Sequence, residues 1–167
     1  MGTRGFSLIE LIVVMALIGI LVSVATLDFN SWQRKSTVES QVKELYADIQ
    51  DARMKAAFTK SAYRVEITSP QVVTFRRYSS AADAVGTVVK TKNLPVAVTT
   101  NVSDSSSSSR IDFNTSGIMS DPKQKVICVT TTVDASYDAI IISGALTGMG
   151  KQINRGTDCA KSNVTQK

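Results

Sequence analysis

The feature that most constrains this chain is an apolar run near its N-terminus. Residues 6–27 contain no proline, and only four of them are polar: Ser7, Glu10, Ser23 and Thr26. As a helix, a run of this length spans about 33 Å at about 1.5 Å per residue, which matches the roughly 30 Å hydrocarbon core of a bilayer. The run therefore predicts a single membrane helix over residues 6–28.

The residues that flank the run predict its orientation and its processing. Arg4 precedes the run and the acidic Asp28 follows it directly. Because positive charge favours the cytoplasmic side, we expect residues 1–5 inside and the rest of the chain outside. Conventional signal-peptidase cleavage after residues 23–25 is a competing interpretation, but that tripeptide matches the small-residue pattern only approximately. Cleavage after Gly5 would instead leave the helix on the mature protein.

Glu10 is the unusual residue of the run. A carboxylate inside a membrane helix costs at least about 2.5 kcal/mol, and such a residue usually has a partner. The run itself contains no Lys or Arg. If the chain is cut after Gly5, the new amine at Phe6 of a neighbouring copy can pair with Glu10. In the alternative interpretation, Glu10 lies at headgroup depth beside Arg4.

The sequence GFSLIELIVV at residues 5–14 resembles the class III signal of type IV pilins and type II secretion pseudopilins. The resemblance implies that a prepilin peptidase cuts after Gly5 and methylates the new N-terminal Phe6. It also implies that Glu10 docks the subunit into a growing filament. The implied partners are other pilins or pseudopilins and an inner-membrane assembly platform. The implied location is the bacterial inner membrane, with the C-terminal domain periplasmic, and then a pilus or pseudopilus.

A second helical pattern follows the apolar run. Apolar residues recur in alternating steps of four and three, at Val38, Val42, Leu45, Ile49, Ala52 and Ala56. This spacing is typical of one stripe on an amphipathic helix, and we expect a sheet to pack on it. The pattern predicts helix over residues 29–60, continuous with the first helix. The charged pairs Glu39–Lys43 and Asp51–Lys55 have the spacing of stabilising contacts on a helix surface.

The rest of the chain, residues 61–167, has a strand-like pattern. Runs rich in β-branched and aromatic residues alternate with turn residues, which predicts an antiparallel sheet and an α+β fold of the pilin type. Residues 103–109 (SDSSSSS) predict an exposed loop, and residues 144–167 predict a Gly-rich polar tail. The predicted strands are Ala62–Thr68, Gln71–Tyr78, Gly86–Lys92, Val96–Val102, Arg110–Asn114, Lys125–Val133 and Ala139–Ser143.

The composition disfavours catalysis and metal binding. The chain has no His, which removes the usual general base and the commonest metal ligand. Its two cysteines, Cys128 and Cys159, are too few for a zinc site. In an exported domain they would most simply pair as a disulfide. We therefore predict a non-enzymatic protein without a metal or a cofactor.

Two segments of the domain resemble a narrower group. Residues 110–117 and residues 140–146 are similar to segments of H-type pseudopilins and FimT-type minor pilins, which carry a Phe-x-x-x-Gly turn and a late strand ending in small residues. Here the first turn runs from Phe113 to Gly117, and we expect a positive φ at that glycine. The basic run that often follows the last turn in this group is replaced by Gly-Met-Gly-Lys at residues 148–151.

Two hypotheses for function follow. The first is a structural filament subunit, either a minor pilin or a pseudopilin. The second is a DNA-binding minor pilin used in natural transformation, which the net charge of +5 permits without requiring. The candidate DNA contacts are Arg76, Arg77, Lys151 and Arg155, together with Lys90, Lys92, Lys123 and Lys125.

Overall fold

A single long helix forms the first third of the molecule. The computed structural model describes residues 7–80, 82–101, 109–156 and 159–166, and the side chains of residues 24–28 fall outside the description. Helix α1 (Leu8–Thr59) contains 52 residues and is therefore about 78 Å long. It ends at Thr59, and the φ of 50° at the following Lys60 is the left-handed conformation that commonly terminates helices.

The strands that follow divide between two antiparallel sheets, where the sequence predicted one. The first sheet has the order β3-β2-β1-β5 and the second has the order β4-β6-β7-β8-β9. Their bounds are β1 (Ala62–Ser69), β2 (Val72–Tyr78), β3 (Thr87–Asn93), β4 (Val98–Thr100), β5 (Ser109–Phe113), β6 (Lys125–Val129), β7 (Ala139–Ser143), β8 (Leu146–Gln152) and β9 (Val164–Gln166). The α+β fold class is confirmed.

The C-terminal half of α1 packs on both sheets through the predicted stripe. All six stripe residues are at most 3% exposed. They share one core with side chains of the first sheet, such as Val65 and Phe75, and of the second sheet, such as Ile127 and Ile140. The periodicity of residues 38–56 therefore identified the face of the helix that the domain covers.

The C-terminal tail is more regular than the sequence predicted. Residues 144–167 were expected to be a polar tail, but they contain β8, a short 3-10 helix (Lys161–Asn163) and β9. A disulfide joins Cys128 of β6 to Cys159, with 5.8 Å between the Cα atoms. The two cysteines belong to a second apolar cluster, separate from the main core, that also includes Val126, Ile141 and Val164. The tail thus covers the face of the second sheet that α1 does not.

Two predicted strands end early, and one predicted loop falls mostly outside the description. The strand expected over 96–102 is limited to β4, and the strand expected over 125–133 ends with β6. Of the predicted loop at residues 103–109, only Ser109 is described, and it begins β5.

Candidate functional site

The N-terminal half of α1 extends away from the domain and is apolar on every side. Residues 7–23 are all exposed. The large apolar side chains among them are between 47% and 77% exposed, with Leu8 highest and Val14 lowest. A helix that is apolar all round is stable when it is surrounded by other apolar groups, such as neighbouring helices or lipid. This segment, residues 7–23, is called the projecting helix below.

The predicted membrane helix is not confirmed. Within the residues that the structure describes, no helical stretch meets the length and apolarity expected of a membrane span. The predicted span of residues 6–28 includes residue 6 and the side chains of residues 24–28, which fall outside the described part.

Glu10 lies in the first turn of α1 and is exposed. Its backbone N–H donates to the carbonyl oxygen of Ser7 at 3.1 Å, so the chain is already helical at this position. A carboxylate in the first turn interacts favourably with the positive end of the helix dipole. The predicted cleavage residues Gly5 and Phe6 lie outside the described residues. Their roles, and the pairing with Glu10, stay predictions.

An aromatic pair marks the point where the projecting helix approaches the domain. The rings of Phe29 and Trp32 lie 6.0 Å apart at an interplanar angle of 36°. Both side chains are exposed, at 60% and 64%. The sequence predictions did not include this pair. The available signal was the position of the only tryptophan of the chain, directly after the apolar run.

Polar contacts fix the domain to α1 beside the buried stripe. The side-chain amide of Gln41 both donates to and accepts from the backbone of Val96, at 2.8 Å in each case. Glu39, which the sequence paired with Lys43, accepts a hydrogen bond from the backbone N–H of Ser136 at 2.7 Å. This backbone hydrogen bond is the main reason that the pKa of Glu39 is lowered. The other predicted pair, Asp51–Lys55, forms at 2.8 Å.

A cluster of charges joins α1 to β3. The Asp48 carboxylate accepts from Lys90 Nζ at 2.5 Å and from Lys92 Nζ at 3.1 Å, and Lys92 also contacts Glu44 at 2.9 Å. Burial acts to raise the pKa of Asp48, but the two lysine contacts outweigh burial and lower that pKa. These two lysines are thus engaged by the helix of their own chain.

Two turns that are distant in sequence, at residues 113–117 and 143–146, meet at Arg53 of α1. The Arg53 guanidinium donates to the carbonyl oxygens of Gly144 at 3.2 Å and Ala145 at 2.5 Å. It also lies over the ring of Phe113, 5.2 Å from the centroid. Gly117 has a φ of 74°, as predicted, and a Cβ there would lie 2.7 Å from the Arg53 carbonyl oxygen. Burial lowers the pKa of Arg53.

Most candidate DNA contacts are paired with carboxylates. Arg76 contacts Glu66 at 3.4 Å, whereas the adjacent Arg77 is exposed. Lys151 and Arg155 both pair with Asp134, and Arg155 also contacts the fully buried Asp138. Lys125 pairs with Asp121. Arg76 and Arg77 belong to β2 of the first sheet, whereas Lys151 belongs to β8 of the second sheet. These cations are therefore spread over two sheets.

The described residues offer no metal centre. Among them, no group of three or more Cys, Asp or Glu side chains is placed to hold a metal ion.

Comparison with known proteins identifies the N-terminal motif and the fold. Residues 1–26 match the model of the prokaryotic N-terminal methylation motif. The fold is similar to two crystal forms of the type IV minor pilin FimU of Pseudomonas aeruginosa. The TM-scores are 0.56 and 0.54, and the sequence identities are 12% and 13%. The similarity covers 77% and 73% of this chain and 99% of each FimU chain.

No curated protein sequence matches the chain significantly. The similarities thus consist of a sequence motif over residues 1–26 and a fold shared over 77% of the chain. The chain therefore combines a prokaryotic N-terminal methylation motif with a fold like that of a type IV minor pilin.

Proposed function

We propose that the chain is a non-catalytic filament subunit, a minor pilin or pseudopilin of a type IV pilus or type II secretion pseudopilus. The observation that carries the proposal is the division of α1 into two halves. Its C-terminal half is buried against a folded domain, whereas the projecting helix is exposed and apolar on every side. Such a helix becomes stable when similar helices surround it, which is the environment of a filament core.

The two halves of α1 suggest how the whole chain is divided in this proposal. Residues 1–5 are a leader that prepilin peptidase removes, and residues 6–28 hold the precursor in the inner membrane. Residues 29–60 continue the helix into the domain, and residues 61–167 form the periplasmic part. During assembly by an inner-membrane platform, residues 6–28 move from lipid to the apolar core of the filament, so little hydrophobic burial is lost. A repeated head-to-tail contact that does not close gives a helical filament.

Glu10 guides the entry of each subunit in this proposal. Its carboxylate is the only acidic group between Phe6 and Leu27. In the apolar filament core it needs a counter-charge, because burying an unpaired charge is costly. Cleavage after Gly5 would create that counter-charge as the amine of Phe6, presented by the adjacent subunit.

Incorporation of Glu10 variants into filaments tests this role. Glu10→Gln keeps the shape of the side chain but removes its charge, whereas Glu10→Asp keeps the charge on a side chain one methylene shorter. We expect a large loss of incorporation for the Gln variant and partial incorporation for the Asp variant, at equal membrane levels of processed protein. If the Gln variant entered filaments as well as the unmodified chain, the proposed docking role would be wrong.

The DNA-binding alternative receives less support from the structure. Of its candidate contacts, Arg76, Lys151 and Arg155 already pair with acidic side chains, which reduces the positive field available to phosphates. A gel-shift experiment with labelled DNA at low and physiological salt distinguishes the hypotheses. We expect no shift at either salt concentration. A shift that weakens steeply with salt, and that Arg77→Ala reduces, would favour the DNA-binding hypothesis.

A further inference from the structure

Both rings of the aromatic pair lie off the buried stripe of α1, and Trp32 borders a groove that Lys92 and Pro95 of the domain also line. At about 100° per residue, Trp32 and Phe29 are turned roughly 120° and 180° from Val38, the first residue of the buried stripe. This position agrees with their exposures of 64% and 60%. The domain of the same chain therefore leaves the larger part of each ring uncovered, and this uncovered part is available to a partner outside the chain.

The distance along α1 places the pair at the boundary of a bilayer. Phe29 is 21 residues after Leu8, the first residue of the helix, which corresponds to about 32 Å along the axis. The hydrocarbon core of a bilayer is about 30 Å thick. When Leu8 lies at one edge of the hydrocarbon, Phe29 and Trp32 reach the headgroup region on the opposite side.

The chemistry of the pair suits that region. Tryptophan combines a large apolar ring with one N–H donor and concentrates at membrane–water interfaces, where one edge is apolar and the other is hydrated. Arg34, which is exposed, follows within one helical turn, and a guanidinium at this depth can contact lipid phosphates. A folded domain begins directly beyond it, since Val38 is only 2% exposed.

We infer that Phe29 and Trp32 form an interfacial anchor that binds the outer headgroup region of the phospholipid bilayer. The anchor sets the depth at which the precursor waits before assembly, and it holds the domain at the membrane surface. The inference rests on the membrane-held precursor of the proposed function. The competing occupant of the pair is the projecting helix of a neighbouring subunit, which is present only in an assembled filament.

The single tryptophan makes the inference testable in the full-length chain. The chain is incorporated into phosphatidylglycerol–phosphatidylethanolamine vesicles, and Trp32 emission is measured with acrylamide in the water or bromine at different depths in the lipid tails. The inference predicts strongest quenching by bromine near the carbonyl end of the tails and partial protection from acrylamide. A matched control is the double variant Trp32→Phe/Phe58→Trp, because Phe58 is 86% exposed at the far end of α1. Its emission is expected to respond to acrylamide alone.

The outcomes separate failure of the inference from failure of the proposed function. If the chain does not float with the vesicles, the membrane-held precursor is wrong and the anchor with it. If the chain floats but Trp32 responds to acrylamide as the Phe58→Trp control does, the anchor is wrong while membrane binding stands. Strongest quenching by bromine at the tail ends would likewise overturn the anchor, because the pair would then lie in the hydrocarbon core.

Discussion

Replacing Gly117 by alanine is expected to loosen the packing of the domain on α1. The new Cβ would lie 2.7 Å from the carbonyl oxygen of Arg53 and 3.2 Å from its Cγ. The carbonyl belongs to a helix and cannot move cheaply, so overpacking is expected to cost about 1–3 kcal/mol. The positive φ of 74° adds about 1–2 kcal/mol for any residue with a Cβ. The free energy of unfolding should therefore fall by about 2–5 kcal/mol.

Gly144→Ala is the matched control for this variant. Gly144 also has a positive φ, of 43°, but a Cβ there would meet nothing within 4 Å. Its expected cost is the conformational part alone, about 1–2 kcal/mol. The difference between the two variants therefore isolates the contact between the Gly117 turn and Arg53.

Thermal unfolding of the full-length chain in detergent measures this difference. Near-ultraviolet circular dichroism follows the four tyrosines, all of which lie after residue 45. At about 3 °C per kcal/mol for a domain of this size, Gly117→Ala should unfold roughly 3–9 °C below Gly144→Ala. Equal unfolding temperatures for the two variants would refute the reasoning, because the contact with α1 would then contribute nothing.

Three further predictions concern the domain. Replacing both Cys128 and Cys159 by serine should lower stability by about 3–4 kcal/mol and make the tail after β8 sensitive to protease; an unchanged urea midpoint would contradict this. Because its two lysine partners lower the pKa of Asp48, this group stabilises the fold above its unfolded pKa and loses that effect as the pH falls through the lowered folded pKa. In urea titrations, Asp48→Asn should therefore flatten the fall in stability between neutral and acidic pH; an unchanged pH profile would contradict this. Arg155→Ala leaves a fully buried carboxylate with one partner fewer and should cost about 2–4 kcal/mol. Lys151→Ala removes only a contact with the exposed Asp134 and should cost less than about 1 kcal/mol; equal urea midpoints for these two variants would contradict the prediction.

The sequence predicted the helix and its buried stripe well because both depend on local periodicity. Steps of four and three residues from Val38 to Ala56 place side chains on one face whatever the rest of the chain does. The positive φ at Gly117 was also predictable, since a glycine between two strand-like runs commonly supplies that conformation.

The arrangement of strands was less predictable because it depends on distant pairing. β1 pairs on one side with its sequence neighbour β2 and on the other with β5, where Ile67 faces Ser109. Local sequence does not encode that partner. The missed strand β8 contains Gly148 and Gly150, which contributed to the prediction of a Gly-rich polar tail. In the structure a Cβ at Gly150 would lie 2.7 Å from Val164, so close approach of β9 explains glycine inside the strand.

The candidate site was predictable in part. The apolar run and Glu10 were visible because each departs from the composition of an ordinary soluble helix. The convergence of two distant turns on Arg53 was not, because its contacts connect residues about ninety positions apart in the chain. Similarly, the basic residues after position 60 are visible in the sequence, but their pairing with carboxylates depends on the fold and was not predictable.

The proposed assembly depends most on a new amino terminus, created at Phe6, that supplies a positive charge to the Glu10 carboxylate of an adjoining subunit. The intact mass of the native protein, isolated from membranes and from filaments, measures this directly. The proposed assembly predicts a chain that begins at Phe6 and carries one methyl group in the filament fraction. A filament protein that still begins at Met1, or one that lacks the apolar segment, would contradict it.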